Sequence, residues 1–132
     1  MYKLVLNDLL YTYIILLVPH FAADPAVYIF QGDEYADQGS NINITAAIYS
    51  SSPNTLTVEW YHNGTLINTT NNARYSVIVD SIIYVLSIMN VDTDVLGEYT
   101  VLVDSEGRNE SDSVQLTFTG KYNINYRNTN II

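Results

Sequence analysis

Apolar side chains recur at every second position in several short stretches of this chain, and this period of two constrains the fold more than any other feature. In one stretch the alternate positions hold Ile42, Ile44, Ala46 and Ile48. A strand with one buried face has this pattern, whereas an amphipathic helix requires a period near 3.6. Several such runs, separated by clusters of Gly, Asn, Asp and Ser, predict an all-β sandwich of about 7–8 antiparallel strands in two sheets.

Further strands follow along the chain. Leu56, Val58 and Trp60 alternate with polar neighbours. Asn63-Gly64 then predicts a tight hairpin, because both turn residues tolerate positive φ. The remaining predicted strands occupy 74–79, 81–89 with Tyr84, Leu86 and Ile88 on one face, 99–103, and 114–118 after a turn at 105–108.

The composition indicates a folded domain and limits its partners. The chain has 132 residues, 48% of them hydrophobic, which suits one packed domain of roughly 100 residues with tails. Fourteen acidic against five basic side chains give a net charge of −9, which disfavours nucleic acid and anionic lipid as partners. The absence of cysteine excludes disulfides, thiolate metal sites and thiol catalysis.

The first 23 residues differ from the rest. A mainly apolar run over 9–18 ends at Pro19, and Ala22 and Ala23 follow. The run is shorter than the roughly 20 residues of a transmembrane helix and fits the apolar region of a secretory signal peptide. A buried strand or helix is the alternative. The expected organisation is a signal peptide at 1–23, one domain at 24–120, and a disordered or truncated tail at 121–132.

Four landmarks occur in order between residues 25 and 118. They are Gly39-x-x-Ile42-x-Ile44-x-Ala46, Trp60, Leu86-x-Ile88-x-x-Val91 and Gly97-Glu98-Tyr99-Thr100-Val101. Together they resemble the immunoglobulin-like superfamily, in particular its intermediate (I-type) set. The resemblance implies a second strand, a core tryptophan, a fifth strand and a tyrosine corner, in that order. It also implies a structural core that includes Ala46, Trp60, Leu86, Tyr99 and Val101.

The chain departs from the family at the disulfide between the sheets. The resemblance places Ala46 and Val101 where the two cysteines would stand. A bridge between positions about 55 residues apart would stabilise the fold by about 4 kcal/mol through the entropy of the unfolded chain. Apolar packing around Trp60 must supply that stability instead.

Acidic side chains cluster in two loops. One group is Asp92, Asp94 and Glu98, and the other is Asp33, Glu34 and Asp37. Calcium takes 6–8 oxygen ligands, but neither group has the spacing of a calcium loop, so solvated surface charge is the preferred interpretation. The family that this chain resembles usually carries an aspartate two residues before the glycine of the tyrosine corner, where this chain has Val95. An ion pair with Arg74 therefore depends on whether Asp94 can reach Arg74.

The sequence offers little for catalysis. His62 lies beside the Asn63-Gly64 turn and is interpreted as an exposed turn residue rather than a general base, and His20 falls in the expected signal peptide. No nucleophile elbow, phosphate-binding loop or dinucleotide fingerprint occurs. We therefore expect no enzyme activity, no cofactor and no metal.

Four Asn-x-Ser/Thr sequons offer candidate N-glycosylation sites at Asn43, Asn63, Asn68 and Asn109. The strand pattern places Asn43 on an outward face and the other three in turns. These asparagines would be available for modification if the chain enters the secretory route. Accidental sequons in an Asn-rich chain are the alternative.

Twelve tyrosines are spread along the chain, among them Tyr28, Tyr35, Tyr49, Tyr61, Tyr75 and Tyr84. Tyrosine suits half-buried strand faces, and it also suits interfaces because it offers a large area with few rotatable bonds. A recognition surface is expected on a sheet face or on the loops near Asn63 and Gly107.

The resemblance implies two alternative functions. The first is a non-enzymatic protein-recognition module of the extracellular adhesion or receptor type, secreted or extracellular, with an unidentified protein partner or a second copy of itself. The alternative is a cytoplasmic structural module like those of giant muscle and cytoskeletal proteins, which often lack the disulfide. The missing cysteines favour the second, because a reducing compartment makes them useless.

Overall fold

A computed structural model describes residues 23–31 and 33–119. The expected tail at 121–132, and the expected signal peptide apart from residue 23, lie outside these ranges. No helix within them is long and apolar enough to cross a membrane. The strands are β1 (Ala26–Ile29), β2 (Glu34–Ala36), β3 (Ile42–Tyr49), β4 (Leu56–His62), β5 (Thr65–Leu66), β6 (Tyr75–Asp80), β7 (Ile83–Ile88), β8 (Gly97–Ser105) and β9 (Arg108–Phe118), with 3₁₀ helices at Pro53–Thr55 and Thr93–Val95.

The described strands form two sheets that pack against one shared core. One sheet has the order β1-β3-β7-β6, and the other has the order β2-β9-β8-β4-β5. The predicted all-β immunoglobulin-like sandwich is therefore confirmed. The nine described strands exceed the predicted 7–8 because the sequence pattern named no strand where β1 and β2 lie.

One strand pair is parallel, which the all-antiparallel expectation did not include. β2 runs parallel to β9, with Glu34 opposite Leu116 and Ala36 opposite Phe118. β1 instead pairs antiparallel with β3 in the other sheet. The chain thus crosses from one sheet to the other between β1 and β2. β2 then runs in the same direction as β9, the last strand.

The core lies between the sheets and is aliphatic apart from a few aromatic side chains. Trp60 is 3% exposed, and Tyr99 is completely buried. Most of the inward positions predicted for the central strands are no more than 2% exposed, namely Ile44, Ala46, Ile48, Leu86, Ile88, Val101 and Val103, whereas Ile42 and Tyr84 are half-buried. Burial of each large aliphatic side chain contributes about 1.5–3 kcal/mol, so this layer accounts for much of the fold's stability.

Two hairpins lie at opposite ends of the five-stranded sheet. Asn63 and Gly64 have φ values of 48° and 83°, so the predicted two-residue turn joins β4 to β5. Glu106 and Gly107, with φ values of 56° and 80°, join β8 to β9. The two loop regions considered for recognition therefore cannot act as one surface.

Candidate interaction surfaces

The two positions where the family carries cysteines lie inside the core. Ala46 on β3 and Val101 on β8 are completely buried, on facing sheets, in one hydrophobic cluster that also includes Trp60. Trp60 on β4 is the direct cross-strand neighbour of Val101. Its indole N–H is buried, and Nε1 has no hydrogen-bond partner among the described residues. An unsatisfied buried donor is uncommon in a native core and calls for an explanation.

Tyr99 fastens the start of β8 to the turn before it. Its hydroxyl donates a hydrogen bond to the carbonyl oxygen of Val95 at 2.6 Å. The hydroxyl of Tyr75 lies 3.1 Å away and donates to Tyr99, because Tyr99 has only one proton to give. Burial first, and then the bond to Tyr75, raises the pKa of Tyr99 well above its ordinary value. The phenol thus remains protonated and works as a structural donor.

His62 is half-buried at the end of β4, so its interpretation as an exposed turn residue is wrong. Its ring stacks on that of Tyr99 with centroids 4.7 Å apart and 20° between planes. Nε2 lies 2.7 Å from the carbonyl oxygen of Leu96, so Nε2 carries the proton and donates. The ring is held by stacking and by this bond, which gives it a structural role at the corner.

The side chain of Asn63 ties the hairpin tip to β8. Its Oδ1 accepts a hydrogen bond from the backbone N–H of Glu98 at 2.8 Å. A Cβ added at Gly97, whose φ is 124°, would lie 2.3 Å from that oxygen. Because Gly97 has no side chain, it leaves room for the Asn63 amide. Sequence reasoning identified the turn and the sequon but missed this bond between distant residues.

Arg74 forms its ion pair with Asp92 and not with Asp94, which answers the question that the sequence left open. The guanidinium Nη1 and Nη2 contact the two carboxylate oxygens of Asp92 at 3.1 and 3.0 Å. Asp92 Oδ1 also accepts the N–H of Asp94 at 2.9 Å and so caps the second 3₁₀ helix. The hydrogen bonds from Arg74 hold the pKa of Asp92 below its ordinary value. With side chains 30% and 36% exposed, the pair is screened by solvent and contributes modestly.

Asp33 and Asp37, from one of the two acidic groups, hold their loops in place by hydrogen bonds. Asp33 Oδ1 accepts the N–H of Gln115 at 3.2 Å, and the Asp37 carboxylate accepts the hydroxyl of Thr119. These bonds hold the loops flanking β2 against β9. Within the ranges that the structure describes, no three metal-ligating side chains come together.

The four sequon asparagines are exposed, but they differ in their surroundings. Asn43 lies on the outward face of β3, and Asn68 lies in the loop after β5. Asn109 belongs to β9, opposite Asp104, so its expected place in a turn was wrong. Asn63 is the one whose amide is part of the corner described above. Their modification stays a prediction.

The tyrosines divide between the two roles considered for them. Tyr28 and Tyr35 are 40% and 47% exposed. The half-buried ones are Tyr49, Tyr61, Tyr75 and Tyr84. Burial raises the pKa of Tyr84, which faces the core side of β7.

The outward faces of the two sheets differ in chemistry. The outward positions of the five-stranded sheet are mostly polar or acidic, with Tyr61 and Leu102 as half-buried apolar exceptions; the polar ones are Thr57, Glu59, Glu98, Thr100, Asp104, Ser111 and Ser113. The four-stranded sheet carries what we call the outer apolar face, formed by Tyr28, Ala47, Ile78, Ile83 and Val85. Tyr28 and Ile78 are 40% and 61% exposed, whereas Ala47 is covered by its neighbours. Outward positions of a sandwich are normally polar, so this face is an interaction candidate.

Two hollows open on the same side of the sandwich, next to Leu66 and Ile67. One, which we call the edge cavity, has a volume of about 210 Å³ and lies between the sheets at β5 and β6, with Trp60, Leu66, Val77, Val79 and Tyr84 among its lining residues. The other, about 470 Å³, has a lining of mixed polar and apolar side chains and lies near Asn63, Asn68 and Asn72.

Comparison with known proteins supports the same architecture. The family model "Immunoglobulin I-set domain" matches residues 27–118. The chain belongs to this family. A solved structure described as "Structure of Titin M4 trigonal form" is similar at 24% identity, with a TM-score of 0.61, covering 74% of this chain and 100% of that one. The M1 domain from titin is similar at 16% identity, with a TM-score of 0.63 and coverage of 74% and 97%.

A third similar structure is a much longer chain, of which the match covers a small part. The "Twitchin kinase region from C.elegans" is 21% identical with a TM-score of 0.61, and the match covers 70% of this chain but 16% of that one. No curated protein sequence matches the chain. Similarity at this level of identity establishes the fold of the I-set domain and leaves its function to be argued from its own surface.

Proposed function

We propose that this I-set domain is a non-enzymatic protein-binding module that contacts its partner through the outer apolar face. The observation that carries the proposal is the contrast between this face and the rest of the surface. The described residues contain 13 acidic and 2 basic side chains. Among the described outward positions of the four-stranded sheet, however, only Asp80, at one margin, is charged. Charge is depleted at the centres of protein interfaces, and aromatic residues are enriched there.

The geometry favours a flat, rigid contact. In register, Tyr28 faces Ala47, Ala47 faces Ile83, and Val85 faces Ile78, so the apolar side chains run across all four strands. The edge of the Tyr28 ring packs against Phe30 with centroids 5.6 Å apart. Aromatic anchors of this kind bind at low entropic cost because few rotatable bonds are frozen.

A paired substitution tests the proposal. The full chain is immobilised, and the proteins it captures from cells that express it are compared with those captured by Tyr28→Glu and Ile83→Glu. We expect both variants to lose the captured partner and the matched control Thr100→Glu, on the opposite sheet, to retain it. Equal capture by all of these folded variants would contradict the proposal.

For the compartment, we propose an intracellular structural role of the kind that titin and twitchin domains suggest. The support is the core at Ala46 and Val101, which is filled by aliphatic side chains and needs no oxidising environment. Fractionation of expressing cells with an antibody against the chain tests this. Recovery of an unmodified chain from the cytosolic fraction is the expected result, and recovery in the medium would contradict it.

The extracellular adhesion or receptor role is the second candidate, and the sequons favour it. Asn43, Asn68 and Asn109 are exposed at positions where a glycan would leave the core intact. This role predicts cleavage near Ala22 or Ala23 and a mass that falls after glycosidase treatment. Mass spectrometry of the chain expressed with its own first 23 residues separates the two candidates.

A further inference from the structure

β6 is an edge strand of the described chain. It forms one margin of the four-stranded sheet and pairs with β7 alone. It spans six residues, Tyr75–Asp80, and contains neither Pro nor Lys. Natural proteins usually protect such an edge with charge, proline or a covering segment, because its free backbone groups can pair with another strand.

The phase of the β6–β7 ladder shows which backbone groups face outward. The N–H of Met89 donates to the carbonyl oxygen of Arg74 at 2.8 Å, so Arg74 directs its backbone toward β7. Antiparallel ladders alternate, so Ser76, Ile78 and Asp80 do the same. The N–H and C=O groups of Val77 and Val79 therefore point away from β7, into the open side of the sheet.

The edge cavity lies directly beneath this open side. Val77 and Val79 line it from β6, and Leu66 and Trp60 line it from the facing sheet. Val79 and Leu66 are each 53% exposed, and β5, the margin of the facing sheet, has only two residues. A strand added beside β6 would direct every second side chain toward this cavity. At about 210 Å³ the cavity is smaller than pockets for drug-sized ligands and suits one aliphatic side chain.

Two observations define the chemistry of the occupant. The cavity is lined mainly by apolar side chains, among them Trp60, Val77 and Val79, which suits an aliphatic occupant. The described surface carries 13 acidic and 2 basic side chains, with Asp80 at the end of β6 and Glu59 at the cavity. That charge disfavours a second copy of the chain and favours a basic partner.

We propose that β6 is a strand-addition site for an extended, basic segment of a partner protein. The backbone of that segment pairs with Val77 and Val79, and one of its large aliphatic side chains enters the edge cavity over Trp60. Lysine or arginine residues flank the aliphatic position. Main-chain pairing supplies affinity, and the cavity supplies specificity. The site lies on a different surface from the outer apolar face, so either proposal can fail without the other.

A synthetic peptide tests the site on the full chain. The probe is Lys-Lys-Thr-Val-Thr-Leu-Thr-Val-Lys-Lys, and Trp60, the single tryptophan, reports binding through its fluorescence. We expect a change in Trp60 emission, slower hydrogen exchange at the Val77 and Val79 amides, and weaker binding in 0.5 M than in 0.05 M NaCl. Replacing the central leucine by serine should weaken binding at least tenfold.

N-methylation of the peptide supplies a matched control that leaves the protein unchanged. Alternate amides of a strand face opposite sides, so methylating one alternate set should weaken binding at least tenfold, and methylating the other set should have little effect. Equal effects of the two sets, or binding without protection of Val77 and Val79, would overturn the proposal. So would no detectable binding at 1 mM peptide, or a dimer of the chain alone in which these amides are already protected.

Discussion

Introducing a disulfide at the two positions where the family carries cysteines tests the account of the core most directly. The change is the double substitution Ala46→Cys and Val101→Cys. Both side chains are completely buried in the same cluster, on facing sheets, so a bridge should form between the sheets without exposing either residue. The sulfur atoms would lie beside the Trp60 indole, which neighbours position 101 across the ladder.

The expected gain follows from the length of chain that the bridge closes. Closing a loop of about 55 residues stabilises the fold by about 4 kcal/mol in the chain-entropy model. Loss of the valine methyl groups costs about 1 kcal/mol. A net gain of about 3 kcal/mol corresponds to a rise in Tm of roughly 10–20 °C for a domain of this size.

The measurement is thermal and urea denaturation of the oxidised and the reduced double variant, followed by circular dichroism. The single variants Ala46→Cys and Val101→Cys, under the same conditions, report the packing cost without a bridge. A double variant that folds but does not form the disulfide under oxidising conditions, or an oxidised form no more stable than the reduced one, would refute the reasoning. Either result would mean that the two positions are not aligned as a bridge requires.

Three further substitutions test individual contacts. Trp60→Ala should destabilise the domain by about 3–5 kcal/mol in urea denaturation, and an unchanged midpoint would remove Trp60 from the core. Gly97→Ala should cost roughly 2 kcal/mol, because its Cβ would meet Asn63 Oδ1 at 2.3 Å and break the hairpin bond, whereas Gly107→Ala, whose Cβ meets open space, should cost less. Asp92→Asn should lower stability at pH 7 by removing a carboxylate whose pKa is depressed in the folded state. That difference should disappear as the pH falls below the ordinary aspartate pKa of about 3.9, and a constant difference down to pH 2 would contradict the assignment.

Local pattern was enough to predict most strands and their buried faces, but not β1, β2 or the first half of β9. Alternate side chains of a strand lie on one face whichever strands pair with it. The apolar alternation around Ile44 and around Trp60 therefore corresponds to a buried face in the structure. The Asn63-Gly64 turn was likewise predictable, because its conformation depends on two adjacent residues.

Features that depend on distant parts of the chain were not predictable from pattern. The parallel pairing of β2 with β9 follows from a change of sheet that no alternation encodes. The partner of Arg74 is Asp92 because the 3₁₀ helix fixes the direction of that carboxylate, and spacing alone could not distinguish it from Asp94. The half-buried place of His62 depends on stacking with Tyr99, which lies on another strand.

The open side of β6 illustrates the same limit for the candidate sites. The sequence shows an apolar strand at this position, but only the strand order reveals that nothing in the described chain pairs with its far side. The cavity beneath it exists because β5 has two residues, a length that no periodicity could predict.

The parallel pairing near the two ends of the described domain also affects how it would respond to tension. Force applied through residues 23 and 119 would act along β2 and β9, so their ladder bonds would be loaded in shear and would have to fail together. The bond from the Ile29 N–H to the Asp112 carboxylate, at 2.8 Å, would share this load. Force applied through residues 97 and 119 would instead unzip β8 from β9 one pair at a time. Single-molecule pulling should therefore record a higher rupture force for the first geometry, and equal forces would show that the parallel pair contributes no mechanical resistance.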